Sequence, residues 1–207
     1  MKTSRPRTIF RPAPHALWIR NAVVNFDPSL SAGPLAMGYR LAARRLVDSA
    51  LADGGDQDFL IGPIAFLYRQ SVELSLKHVI ALGGALDGTG RTAPLGHDLR
   101  VLWRGARAVI RRVDAGAEPT CVQVAAIIDE MAATDPGSDA FRYPTRRDGT
   151  PSWPADLTHI DMKQLGEVMD ELCERLEAAG DMVDAAVDAQ AEWRLWQEEV
   201  AEEYRDD

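Results

Sequence analysis

Residues 59–83 read FLIGPIAFLYRQSVELSLKHVIALG, and this run decides the fold. At about 100° per residue, Ile64, Leu67, Tyr68, Val72, Leu74, Leu76, Val79 and Leu82 spread around most of a helical circumference, the pattern of a helix covered on nearly every side. The stretch is therefore expected to be the central helix of an all-α protein. Three charges interrupt it, since Arg69, Glu73 and Lys77 follow one another at i, i+4 and i+8 on one narrow ridge. On an exposed face each such pair contributes only roughly 0.2–0.5 kcal/mol, whereas a buried charge without a partner costs several times that, so whatever covers the ridge must bring polar partners. The ridge reads either as a solvated seam between two helices or as a functional polar pocket.

Working outward, residues 1–33 are rich in Pro and basic side chains and show no sustained period. They read as an arm, with ALWIRNAVVNF a short strand or an extended segment. Pro34 suits a first helical turn, and 35–52 carries apolar residues at helical spacing until DGGDQD ends it. On the other side the glycines at 83, 84, 88 and 90 are expected to stop the central helix. Asp98 is placed to cap the next helix, LRVLWRGARAVIRRV, which ends at Val113. Arg100, Arg104, Arg107 and Arg111 fall within about 60° of one another on its wheel. Such a stripe can bind phosphates, because the guanidinium donates in bidentate fashion, or it can be neutralised by the acidic C-terminal helices.

A shorter helix is expected over 121–134, followed by a long basic loop, DAFRYPTRRDGTPSWP, kept irregular by its prolines and its DG turn. A helix over 158–179 follows, capped by Asp156 or Thr158, and Gly180 either breaks or weakens it. From 181 to 204 the chain is strongly acidic, with Val183, Val187, Trp193, Trp196, Val200 and Tyr204 at spacings of three and four. The division is thus an arm at 1–33, a helical bundle of four to five helices at 34–179, and an acidic C-terminal helix at 180–207.

Composition bounds the function. The chain has 207 residues, 46% hydrophobic and 27% charged, and no apolar run reaches the length of a membrane span. Its opening, MKTSRPRTIFRPAP, lacks the apolar core of a secretory signal, so a cytoplasmic location is expected. Cys121 and Cys173 stand alone and read as small buried hydrophobes. No cofactor motif and no metal-ligand spacing is present. The net charge of −9 is unevenly divided: residues 148–207 carry 4 basic and 18 acidic side chains, so the excess is C-terminal and an anion-binding surface remains open to the rest.

The run FLYRQSVELSLKHVI, then GHDLRVLW, then DAFRYP before a long final helix, resembles the HEPN superfamily of helical domains found in prokaryotic toxin–antitoxin and anti-phage systems. The likeness spans about 35–179. It implies a helical bundle that forms homodimers and binds RNA or nucleotides near the dimer interface. Active members are metal-independent ribonucleases with an Arg followed after four to six residues by a His. The pair here with that spacing is Arg91 and His97, in a Pro- and Gly-containing loop, while the family's own position, 141–148, offers Arg142, Arg146 and Arg147 without a His. The resemblance carries over Glu73, Lys77, His97, Asp98, Arg142 and Tyr143. In that reading Arg142 descends to Glu73 beside Arg69, His97 bonds the same carboxylate, and Asp98 caps the arginine helix.

Two function classes follow. In the first, the protein acts on RNA or nucleotides, with His97 as base, Arg91 and Arg142 on phosphate, and Arg100, Arg104, Arg107, Arg111, Arg146 and Arg147 on the backbone. In the second, it is a non-catalytic module that dimerises or binds a separately encoded partner.

Overall fold

The structure, a computed structural model, describes residues 13, 15–22, 32–90, 96–146 and 148–203. Arg91, Arg147 and Tyr204 lie outside them. Five α-helices are present among the described residues: α1 (Ala32–Asp53), α2 (Gln57–Leu86), α3 (Leu99–Val113), α4 (Glu118–Thr134) and α5 (Met162–Glu203). There is no β-strand among them, only an isolated bridge between Thr145 and Pro151. The fold is all-α, as the period of the central stretch requires, and no described helix is long and apolar enough to cross a membrane. Met1–Leu30 form a separate unit, in which His15–Arg20 make a 3-10 helix where a strand was one expectation.

Contacts fix the helix directions. Ala36 meets Ser71, and Gly33 meets His78, so α1 and α2 are antiparallel. Tyr68 meets Asp170, Ser71 meets Cys173, and His78 meets Gly180, so α2 and α5 run parallel. Gly105 faces Ile80 and Val109 faces Gly83, so α3 also runs parallel to α2. The antiparallel hairpins α1–α2 and α3–α4 are joined by connections that return along the bundle. The core gathers on α2, where Ile64, Tyr68, Val72, Leu76 and Val79 have no exposed surface.

α2 ends inside the expected glycine cluster, with Gly88 and Gly90 at φ 67° and 61° in the turn that follows, whereas Gly83 is a close-approach point rather than a helix end. α2 runs through Gly83 and Gly84 to Leu86, and a Cβ at Gly83 would stand 2.3 Å from Val109 Cγ2. Gly105 and Gly166 likewise bring Ile80 and Val47 to 3.0 Å of a would-be Cβ. α5 is one 42-residue helix, and Gly180 does not break it. It starts at Met162, capped by Asp161, whose carboxylate accepts from the Lys163 and Gln164 amides at 2.9 and 3.1 Å. Asp156 and Thr158, the expected caps, lie in the loop before it.

Candidate functional site

The charged ridge is buried. Arg69 and Glu73 are each 1% exposed, as is Asp135, just past the end of α4. Arg69 Nη1 donates to Glu73 Oε2 at 2.9 Å, and its Nη2 donates to the His97 carbonyl at 2.7 Å. Arg69 Nε stands 2.9 Å from Asp135 Oδ2 with its N–H off the oxygen, so that contact is an ion pair rather than a hydrogen bond. Glu73 Oε1 accepts from Lys77 Nζ and from His97 Nδ1, both at 2.8 Å. Two cations and two carboxylates balance before the imidazole is counted, which is what burial of this set requires.

Each member is positioned by its own backbone. Arg69, Glu73 and Lys77 stack because they share one face of α2. His97 directly precedes Asp98, whose side chain caps α3 by accepting from the Arg100 and Val101 amides at 2.9 and 3.1 Å. Asp135 anchors the α4–α5 loop, its Oδ1 accepting from the Asp139 and Ala140 amides at 2.9 Å each. Burial pushes the Glu73 carboxyl up, but the bonds from Lys77, His97 and Arg69 outweigh it and hold the group below its ordinary 4.5. A carboxylate can only accept, so His97 Nδ1 carries the proton in this bond. The His97 side chain is 61% exposed, which leaves Nε2 toward solvent.

Arg142 and Tyr143 are not part of this network. Arg142 donates to the Ser138 carbonyl, and its guanidinium lies over the rings of Phe66 and Tyr143, 5.6 and 5.5 Å from their centroids. Glu73 already has three donors, and the loop's contribution to the ridge is the acid Asp135 facing Arg69. Arg146 is a loop staple: its Nη2 donates to the carbonyls of Thr134 at 3.2 Å and Ser152 at 3.1 Å. Arg91 and Arg147 fall outside the described residues.

Three of the four stripe arginines are paired, but with only two carboxylates, both on α4 rather than on the C-terminal helix. Arg100 pairs with Asp129 at 2.8 Å, Arg107 and Arg111 share Glu118, and Arg112 pairs with Asp87 at 3.1 Å. Arg104 is exposed.

A second polar cluster escaped the sequence reading. Asp170, buried on α5, accepts from the Tyr68 hydroxyl at 3.1 Å and pairs with Arg44 at 2.5 Å and Arg40 at 3.5 Å. Burial, and next the charge of Asp170, push the Tyr68 phenol well above its ordinary value. The available signal was Asp170 itself, an acid between the buried Met169 and Leu172.

At its far end α5 leaves the bundle. Its contacts with α2 keep an offset near 102, so Leu86, the last residue of α2, lies level with about residue 188. The helix then continues for roughly 22 Å at 1.5 Å per residue. Residues 191–199 are all exposed, among them Trp193, Leu195 and Trp196 at 55%, 62% and 52%. The two indole rings stack with centroids 4.8 Å apart. The chain matches no family model, no curated protein and no solved structure.

Proposed function

We propose that the chain is a non-catalytic helical module that binds a partner protein through the free end of α5, as a HEPN-like component of a two-part defence or toxin–antitoxin system. The observation that carries this reading is the exposed, stacked pair Trp193 and Trp196. Two tryptophans held side by side on a bare helix are the composition of an interface anchor, and their apolar area is costly to leave in water. Among the described residues, Asp188, Glu192, Glu198, Glu199 and Glu202 surround them, against Arg194 alone. A second copy laid on this stretch would set acid against acid, so the partner presents an apolar groove with a basic rim.

The test is co-expression with the products of the genes flanking its own, comparing wild type with a Trp193→Ala, Trp196→Ala double variant. A complex lost in the variant, with thermal unfolding of the chain unchanged, is expected. A complex indifferent to the change, or none at all, overturns the reading. A dimer that the variant abolishes would make the occupant a second copy.

RNA cleavage is the second reading, and the Glu73–His97 pair favours it. A buried carboxylate that holds Nδ1 and leaves Nε2 toward solvent is the arrangement of an oriented general base. Incubation with mixed RNA in the absence of divalent metal should give weak or absent cleavage. Metal-independent cleavage lost in His97→Ala would reverse the order of the two readings.

A further inference from the structure

We propose that the groove between α4, α5 and the loop joining them binds a small organic cation with an apolar body. α4 packs chiefly on α3 and touches α5 little. The space left between α4 and α5 is a cavity of about 380 Å³. A dry cavity of roughly 150 Å³ holds one benzene, so this one takes a body of two or three fused rings. It also falls within the usual size range of ligand sites.

The lining decides the chemistry. Met131 of α4 and Val168 of α5 both belong to the apolar lining, and the loop supplies an aromatic wall of Phe141 and Trp153, with ring centroids 4.9 Å apart at 45°. The ionisable residues in the lining are Glu130, His159, Asp161 and Tyr68, whose hydroxyl is given to Asp170, with no Lys or Arg among them. Arg146 of the same loop is committed to the carbonyls of Thr134 and Ser152. One Asp161 oxygen is spent capping α5, so Glu130 on exposed α4 surface is the less encumbered carboxylate. Aromatic faces beside carboxylates attract a positive head group, the more so when that group is weakly hydrated, as a quaternary ammonium is. An anion of the same body would meet two carboxylates and no Lys or Arg.

Isothermal titration of the full chain with three probes sharing one bicyclic body tests this: 2-naphthylmethyl-trimethylammonium, 2-naphthalenemethanol and 2-naphthoate. The ammonium is expected to bind one to one, the alcohol at least fivefold more weakly, and the naphthoate not measurably. Glu130→Gln should weaken the ammonium about fivefold and leave the alcohol unchanged. Val168→Trp, which fills the cavity, should abolish both. If Val168→Trp fails to fold, the Glu130→Gln comparison still decides, because that side chain is exposed. Absence of ammonium binding at millimolar concentration overturns the proposal, as does naphthoate binding equally well, or an affinity indifferent to Glu130→Gln.

Discussion

Arg69 is the side chain on which the buried network turns, because it faces Glu73 on its own helix and Asp135 from the α4–α5 loop, with none of the three reaching water. Its loss would leave Asp135 without a cation and Glu73 with Lys77 and His97 alone. Arg69→Ala is therefore expected to cost about 3–5 kcal/mol in urea unfolding, far more than loss of an exposed pair such as Arg100 with Asp129. The pH dependence has a definite sign. The Glu73 carboxyl titrates below its ordinary 4.5 in the folded protein, so it contributes stability that is present above that value and is lost as pH falls through its lower folded value. Glu73→Gln should reduce stability at neutral pH and make the acid limb of a stability–pH curve shallower; an unchanged limb would assign acid sensitivity elsewhere. The helical spacing of Arg69, Glu73 and Lys77, and the capping position of Asp98, made half of this network legible in the sequence. Asp135 and Asp170 were not legible, because their partners lie 66 and 102 residues away and no period links them.

At the scale of elements, helical period placed α1 to α4, but it divided α5 into 158–179 and 180–207 and set its cap too early, and it also missed the meaning of glycine. Gly83 punctuates a sequence but in the folded chain lets α2 and α3 approach closely, with a would-be Cβ 2.3 Å from Val109 Cγ2. Gly83→Ala gains helix propensity of about 1 kcal/mol and loses more to the displaced valine, for a net destabilisation of about 1–3 kcal/mol in thermal unfolding. A Gly83→Ala, Val109→Ala double variant should recover part of the loss if contact between the two helices is the cause. The opposite stretch, 139–154 within the loop that joins α4 to α5, was read as a long basic loop. Its order comes from hydrogen bonding that composition does not announce: Arg146 turned inward on two carbonyls, and Asp135 gathering two amides.

For the whole molecule, the charge asymmetry visible in the sequence has a spatial counterpart. Among the described residues the arginine stripe meets acids of α4 and none of α5, so the excess negative charge along α5 is not taken up by it. α5 is also supported unequally, with Val183 fully buried and every residue of 191–199 exposed. A stretch of helix that length is marginal in water by itself, so its last turns persist because they propagate from turns already fixed against α2. Amide hydrogen exchange should therefore slow steeply from the C-terminal end of α5 toward Leu172, a gradient inside one unbroken helix. Gln190→Pro, just past the level of Leu86, should cut that propagation and bring the amides of 191–199 to coil-like exchange while those of α2 stay protected. The Trp193–Trp196 surface would then exist only as long as the bundle beneath it holds, so local loosening far from the indoles would switch them off.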